Sequence, residues 1–455
     1  MGATEEIARF IVKKGFKDIP PEAVKMAKRG ILDSLGVALA GSTSPQGKII
    51  IQHVKENGGT PESTVLAGGF RTSAPNAALA NGTLTHALDF DDTWLPLGHP
   101  TCTIFPVVLA LGEKLKCSGR ALLEAFILGM EIHGKVGLGY STAPFHSTPI
   151  YGTLGAASAA AKILRLTVEQ TRMALGIAAS GAGGLACNVG TMTKALHAGN
   201  AARNGLVAAL LAKEGFSANR NAIEARRGYA QAFMGDQYDP VEAVASLGNP
   251  FHIVSPGAGI KTYPSCYLNH RPLAALFQII GEHHVSYEEV ESVEVQVPNE
   301  HFLNNPAPET GLEAKFSLQY NLAAALLDGQ IVIDTFQEER VKAPRMSEAI
   351  KKVRLEVHPE IPVNYAQCFH PLTVRLKDGR TFTSRVDAPK GHWENPLSQD
   401  ELLAKYRANA HLVLPAREAE RSIEFIENME KLENIEELMA LSERKTEAGR
   451  CFFFS

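Results

Sequence analysis

The chain has 455 residues, and 45 Lys and Arg stand against 49 Asp and Glu, a formal net charge of −4. Hydrophobic residues make up 45% and charged residues 21%, a globular composition that excludes intrinsic disorder and low-complexity architectures. The charge balance argues against nucleic acid or an anionic membrane as the main partner, because such binders carry a basic surplus. The length predicts two or three domains with a large core.

No two of the six cysteines have the CxxC spacing, in which two residues separate the thiols, so a zinc ribbon or a redox dithiol is not expected. Separate, reduced thiols are typical of a cytoplasmic protein. The first fourteen residues carry charges and lack the apolar segment of a secretory signal. No stretch has 18 uninterrupted apolar residues, so we expect a cytoplasmic protein without a membrane span.

Residues 1–264 have the pattern of helices. Pro21 suits the first position of a helix, and apolar residues then recur three or four positions apart, at Val24, Ala27, Ile31 and Leu35. The segments 153–166 and 206–212 are rich in Ala and Gly. Small residues let helices approach closely, so these segments predict tight helix crossings.

The pattern changes after Pro264. Apolar residues alternate with polar ones over 293–297, 353–357 and 372–376, which predicts half-buried strands, and Asp378-Gly379 after the last of them predicts a hairpin. A helical segment, 318–327, lies between the first two. Beyond residue 395 the helix period returns. The predicted fold is mainly α: a large all-α domain, 1–264 plus 396–455, with an inserted smaller α/β lid domain, 265–395.

The densest polar cluster lies at 86–93, with His99 shortly after it. If 79–94 is helical, His86, Asp89 and Thr93 share a face, while Asp91 and Asp92 point elsewhere. His99 would lie in the following loop. A carboxylate, a hydroxyl and an imidazole then converge at a helix end. The alternative is a capped helix terminus with solvated aspartates.

A second cluster lies at 190–197. Thr191 or Thr193 could cap a helix that continues through 201–212. Lys194 would then lie in the first turn, where the helix dipole is unfavourable for a cation. A bound anion between Lys194 and the helix N-terminus would explain that position. A solvated lysine is the structural alternative.

Three further residues are candidates with ordinary structural alternatives. His146 lies in a loop before an Ala-rich helix, where a buried, hydrogen-bonded histidine is the alternative. Lys261 lies at the proposed domain junction, a favoured place for ligands, although a junction lysine is often only solvated. Tyr320 either donates a hydrogen bond into the cleft or belongs to the core.

A magnesium site formed by Asp89, Asp91 and Asp92 is a remote alternative, as in helical enzymes with an acidic DDxxD motif. It would require a second acidic motif, which the sequence lacks. The phosphate-binding Walker A loop, the GxSxG elbow and the HExxH zinc motif are absent as well.

Six motifs, in this order, closely resemble the MmgE/PrpD family: HALDFDDT followed by GHP, GTMTKALHAGNAARNG, KTYPSC with His270, KFSLQY, and GHWENPLS. The resemblance covers essentially the whole chain. The family includes 2-methylcitrate dehydratases, cis-aconitate decarboxylases and iminodisuccinate epimerases. The resemblance implies a large all-α domain with a smaller α/β lid, a homodimer, and no metal, iron–sulfur cluster or other cofactor.

The resemblance also implies an active site in the cleft between the two domains, with these residues: Asp89, Thr93, His99, His146, Lys194, Lys261 and Tyr320. We expect proton transfer at a carbon next to a carboxylate of a small di- or tricarboxylate. His99 is the expected main proton-transfer group, since the pKa of a histidine is close to the working pH.

The other residues take supporting roles in this hypothesis. Asp89 orients or polarises His99, and His146 and Tyr320 are candidates for the second acid. The predicted substrate-binding residues are Thr93, Lys194, Lys261 and His86. The main prediction is a lyase like 2-methylcitrate dehydratase, with an iminodisuccinate-type epimerase or a cis-aconitate-type decarboxylase as alternatives. Cys266 stands where decarboxylase members carry a histidine, which argues against decarboxylase specificity.

Overall fold

The computed structural model describes residues 2–137, 144–299, 303–364 and 367–442, so the terminal Cys451–Ser455 lies outside the described residues. The fold is mainly α, as predicted. The α-helices are α1 (Ala3–Lys13), α2 (Pro21–Gly41), α3 (Pro45–Asn57), α4 (Ala74–His86), α5 (Thr101–Lys114), α6 (Gly119–Val136), α7 (Ser147–Ile163), α8 (Val168–Gly181), α9 (Met192–Lys213), α10 (Tyr229–Met234), α11 (Pro240–Val244), α12 (His270–His283), α13 (Gly311–Ala314), α14 (Leu318–Asp328), α15 (Glu338–Val341), α16 (Pro344–Ile350), α17 (Gln399–Ala410), α18 (Ala416–Glu427) and α19 (Glu436–Ser442). The strands are β1 (Ser63–Thr64), β2 (Arg71–Thr72), β3 (Asp92–Thr93), β4 (Gly259–Ile260), β5 (Val290–Val297), β6 (Val353–Val357), β7 (Leu372–Leu376) and β8 (Thr381–Ser384).

A four-stranded sheet contains the three predicted strands in the order β6-β5-β7-β8. Strands β5 and β6 are parallel, and helices α13–α16 form the crossover that a parallel connection requires. The predicted hairpin is confirmed: β7 and β8 are antiparallel, and Gly379 in the turn has a φ of 91°. Both the strands and the hairpin were therefore readable from alternation and turn residues.

Close helix crossings hold the helical part together. Helix α9 packs against both α4 and α7, where small residues were predicted to let helices approach. Gly199 of α9 lies so close to α4 that a Cβ atom there would clash with the Leu79 carbonyl and the Thr83 hydroxyl. This contact fixes α9, which carries Lys194, against α4, which ends at His86.

Replacing Gly199 by Ala is expected to lower the free energy of unfolding by about 1–3 kcal/mol, because the added methyl group must separate two packed helices. Urea denaturation measures the change. The matched control is Gly281→Ala in α12, where a Cβ would meet open space, and no loss is expected there because Ala favours helix. Equal stability of the Gly199→Ala variant and the wild type would contradict the close-packing argument.

The buried apolar residues form two large clusters. The larger draws on residues between 3 and 260 and between 397 and 439, and the smaller on residues between 266 and 376. The predicted division into two domains and the lid role of the smaller one both stay predictions. A third small cluster joins Val37, Ala40, Leu88 and Phe90, with Ile333 packed against it. It anchors the chain beside Asp89.

Two sequence expectations concern membranes and thiols. Within the described ranges, every helix is too short or too polar to cross a lipid bilayer. The cysteines that the structure describes are free thiols, as predicted: Cys102, Cys117, Cys187, Cys266 and Cys368.

Candidate active site

The loop after α4 has a conformation that the sequence did not predict. Helix α4 ends at His86, and Asp89 adopts the left-handed conformation with a φ of 52°. The chain then forms β3, which pairs antiparallel with β4. The predicted helix over 79–94 is therefore right only as far as His86: the chain then turns through the left-handed residue Asp89, and the strand pairing brings Lys261, which follows β4, next to Asp89.

Asp89 is the centre of the site. Its Oδ1 lies 2.7 Å from Nζ of Lys194 and 2.7 Å from Nζ of Lys261. Burial opposes ionisation of Asp89, but the two ammonium groups outweigh it and hold the pKa of the carboxyl well below its usual range. Burial likewise opposes the charge of Lys194, but Asp89 outweighs it and raises the pKa of the ammonium. Asp89 and Lys194 are therefore charged at neutral pH.

The two lysines differ in how many of their N–H donors remain free for a ligand. Nζ of Lys261 donates to Oδ1 and the backbone carbonyl of Asp89, at 2.7 and 2.8 Å, and to the Ser265 carbonyl at 3.2 Å. An ammonium has three N–H groups, so Lys261 is saturated by the protein. Nζ of Lys194 donates to Asp89 and lies 5.2 Å from the Phe316 ring centroid. Lys194 is thus the better candidate to bind an anion.

Lys194 lies where the sequence placed it, in the first turn of α9. Thr191 caps this helix, because its side chain accepts a hydrogen bond from the backbone N–H of Thr193 at 3.2 Å. The cap and the position of the lysine are confirmed. The positive end of the helix dipole and the Lys194 ammonium therefore lie together at the Asp89 cluster.

His99 has a defined tautomer. Its Nδ1 lies 2.6 Å from the Asp92 carbonyl, and since a carbonyl only accepts, Nδ1 carries the proton. Its Nε2 therefore has a free lone pair and lies 3.6 Å from Oδ1 of Asp89. Burial first, and then Lys261 and Lys194, hold the pKa of His99 well below its usual value. The ring is neutral at neutral pH and presents a base to the cluster.

Asp91 also belongs to the site, contrary to the prediction that it points elsewhere. Nδ1 of His86 lies 2.9 and 3.0 Å from the two carboxylate oxygens of Asp91, and both side chains are fully buried. Burial opposes ionisation of Asp91, but His86 and His99 outweigh it and lower its pKa well below the usual range. The helical spacing assumed for this segment hid the pair, since residues five apart do not meet on a helix.

His146 joins the cluster, and His197 is a partner that the sequence reasoning missed. The His146 ring stacks on His86 with centroids 6.0 Å apart, and its Nδ1 lies 3.2 Å from Nδ1 of His197. Burial, followed by Lys194, holds the pKa of His146 well below its usual value. The spacing of three between Lys194 and His197 on one helix was a usable signal for the second histidine.

Two predicted site residues lie elsewhere or make no defined contact with the cluster. Tyr320 belongs to the smaller core, where its hydroxyl donates to the Thr335 carbonyl and its ring lies 5.9 Å from Phe336. Tyr320 thus has the contacts of a core tyrosine, the structural alternative, and its role as second acid stays a prediction. Thr93 is buried in β3 beside Gly259, and its contact with substrate stays a prediction.

Four side chains offer one possible metal ligand each within 4.8 Å of one another: His86, Asp89, Asp91 and His99. The donor set does not suit a divalent cation, because Oδ1 of Asp89 already binds two ammonium groups, which would repel a further cation. Asp92 is turned to Thr101, whose hydroxyl donates to it at 2.6 Å, and burial, then Asp91, raises its pKa well above the usual value. The three aspartates therefore do not form a common cation site.

Comparison with known proteins covers nearly the whole chain. Residues 5–241 match the MmgE/PrpD N-terminal domain and residues 263–431 the MmgE/PrpD C-terminal domain. The chain is 35% identical to cis-aconitate decarboxylase of Mus musculus, over 96% of this chain and 93% of that protein. It is 34% identical to cis-aconitate decarboxylase of Homo sapiens, over 96% and 94%.

A more distant similarity is to 2-methylcitrate dehydratase of Escherichia coli, strain K12, at 24% identity over 89% of each chain. The N-terminal domain match precedes the C-terminal one along the chain, and the sequence motifs fall within or next to these two ranges in the same order. The two domain matches and the relatives that cover nearly the whole chain show that the chain belongs to the MmgE/PrpD family.

Proposed function

We propose that this chain is a lyase that acts on a small tricarboxylate by proton transfer at a carbon next to a carboxylate. The observation that carries the proposal is the free Nε2 of the neutral His99, which lies beside the Asp89–Lys194 pair. The base and the cation that can hold an anionic substrate are thus in one buried cluster.

Lys194 is the proposed anchor for a substrate carboxylate. Its ammonium keeps N–H donors that Asp89 does not take, and the N-terminus of α9 adds a favourable potential for an anion. Lys261 instead holds Asp89 in place through two of its hydrogen bonds and ties it to Ser265 through the third. Its predicted role in substrate binding becomes a positioning role in this proposal.

Substrate binding would also change the proton affinity of His99. In the free site, the two lysines are among the groups that keep this ring neutral. A substrate with several carboxylates places negative charge beside the ring and offsets the lysines, so it raises the pKa of His99. The same ring can then take a proton from carbon or give one to carbon.

Decarboxylation of an aconitate is the first candidate reaction, supported by the identity of about one third to two cis-aconitate decarboxylases over full length. The bond to the leaving carboxylate breaks, its electron pair shifts the adjacent double bond, and the far carbon takes a proton from His99. Carbon dioxide leaves, and solvent restores the proton. The reaction needs no redox partner.

Dehydration of a 2-methylcitrate-type acid is the second candidate, and Cys266 favours it. This thiol is buried near the charged cluster, and burial first, then Asp89, raises its pKa to about 11. It is therefore neutral and does not replace the histidine that the family resemblance places here in decarboxylases. An epimerase of the iminodisuccinate type would use the same exchange of a proton at carbon.

Proton NMR in D₂O with cis-aconitate, 2-methylcitrate, citrate and an aspartate-derived diacid tests the proposal. We expect deuterium to enter one of the acids at a carbon next to a carboxylate, with loss of carbon dioxide from cis-aconitate as the leading net reaction. Net loss of water from 2-methylcitrate alone would favour the second candidate. No exchange and no turnover with any acid would contradict the proposed function.

Removal of divalent cations with EDTA is expected to leave turnover within about a factor of two. The physical reason is the pair of ammonium groups on Asp89, which stand where a cation would have to bind. The measurement is the initial rate after dialysis against EDTA, with Mg²⁺ added back as the control. A loss of turnover that Mg²⁺ restores would favour the magnesium alternative.

A further inference from the structure

In the pair formed by His86 and Asp91, Nε2 of His86 has no role in the reaction at carbon. Asp91 is ionised and accepts from Nδ1 of His86, so this nitrogen carries a proton. The other nitrogen, Nε2, is buried and has no hydrogen-bond partner among the described residues. A buried polar atom without a partner is costly, so Nε2 calls for a ligand or a water.

The His86 ring lies beside two other histidine rings of the active site. The centroid of the His86 ring lies 4.5 Å from that of His99 and 6.0 Å from that of His146. One ligand atom of His86 lies within 4.8 Å of those of Asp89 and His99. A substrate held at Lys194 beside His99 therefore lies within reach of His86 as well.

His86 and His99 differ in the group that accepts a hydrogen bond from Nδ1. In His99 that nitrogen donates to a neutral peptide carbonyl, that of Asp92. In His86 it donates to the carboxylate of Asp91, a charge-assisted hydrogen bond. The two rings are thus held by different groups, as is found where two titratable side chains take different roles in one active site.

We infer that His86, held by Asp91, is a second proton-transfer residue of this site and serves a leaving hydroxyl, while His99 serves carbon. The inference rests on the proposed function and adds C–O bond cleavage to it. It takes the place of the predicted role of Tyr320, whose hydroxyl is engaged in the smaller core. It also changes the predicted role of His86, which was substrate binding.

The step balances without any further reactant. Nε2 of His99 takes the proton of the C–H bond, and that electron pair becomes the new C=C bond. The C–O bond breaks with its electron pair on oxygen, which takes the proton from Nε2 of the His86 imidazolium and leaves as water. His86 then keeps its Nδ1 proton on Asp91, and exchange with solvent resets both rings.

The test separates exchange at carbon from cleavage of the C–O bond. Deuterium uptake into cis-aconitate from D₂O reports on His99, and interconversion of 2-methylcitrate with its alkene reports on both histidines. For His86→Gln we expect C–O cleavage to fall at least about a hundredfold, and at least about tenfold more than exchange does. For His99→Gln both should fall at least about a hundredfold.

The matched control is His133→Gln. His133 is also fully buried, but its Nε2 bonds to the Leu97 carbonyl, and it lies in an aromatic group with Trp94 and Tyr151. Both rates should stay at the wild-type level in this variant. If His86→Gln does not fold, as judged by circular dichroism and thermal melting, Asp91→Asn decides: it keeps the ring and should lower C–O cleavage about tenfold or more relative to exchange.

Three outcomes would overturn the inference. These are a His86→Gln or Asp91→Asn variant that loses both rates by the same factor, a variant that loses neither, and a wild type that exchanges carbon-bound protons without any C–O cleavage. In the last case the proposed function stands and the inference alone fails. A wild type without exchange or turnover would contradict the proposed function, and the inference with it.

Discussion

Replacing His99 by Gln is expected to lower kcat by about 10²–10⁴-fold, the range that a positioned general acid–base group contributes. Gln can still donate to the Asp92 carbonyl, as Nδ1 of His99 does, but it has no lone pair of comparable basicity to present at the cluster. The rate is measured with the acid that shows exchange in D₂O. We expect KM to change little, because the anion is held by Lys194.

The control for this variant is the thermal midpoint of unfolding, which should stay within a few degrees of the wild type. His99 is 8% exposed and its backbone N–H donates to Thr148, a bond that the substitution does not touch. Turnover within threefold of the wild type would exclude His99 as the proton-transfer group. A loss of turnover that accompanies loss of the folded state would leave stability as the cause.

Replacing Lys194 by Met is the second large effect, with an expected fall of about 10²–10³-fold in kcat/KM. The ammonium is the proposed contact for a substrate carboxylate, and a charge-assisted hydrogen bond in a buried site is worth about 1.5–3 kcal/mol in binding. Its electrostatic effect on charge that develops in the transition state adds to this loss. Steady-state kinetics at saturating and limiting substrate separate the two contributions.

Stability should suffer less at Lys194 than at Lys261. Without Lys194, Asp89 keeps its ion pair with Lys261, so its charge stays compensated. Lys261→Met removes three hydrogen bonds and the cation that holds the Asp89 backbone, so we expect about 3–5 kcal/mol less stability there. Lys213→Met, at the exposed end of α9, is the matched control and should change neither quantity. Wild-type kinetics in Lys194→Met would contradict the anion-binding role.

Much of the fold follows from local patterns. The strands over 293–297 and 372–376 alternate in the sequence because one face of each is buried, whereas in 353–357 only Val353 is buried. The Asp378-Gly379 turn follows from the left-handed freedom of glycine. The start of α9, with Lys194 in its first turn, follows from the Thr191 cap. Periodicity and capping act over a few residues, so the sequence contains them in full.

The site loop did not follow from such patterns. The spacing of His86, Asp89 and Thr93 fits a helix, yet the chain turns at Asp89, which has a positive φ. The cause lies far away in the sequence: β3 pairs with β4, and Lys261 then binds Asp89 from 172 positions later. A local pattern of ten residues around Asp89 does not include Lys261, so it could not predict this contact.

The sequence by itself determined a mainly α chain with a smaller sheet, its family resemblance, and the presence of His99, Asp89, Lys194 and Lys261 in the site. Only the tertiary structure decided that Lys261 is saturated, that Asp91 holds His86, and that Tyr320 belongs to the smaller core. The physical reason is that residue type and local spacing fix which groups are available, whereas burial and long-range pairing fix which lone pairs and N–H groups are left free for a substrate.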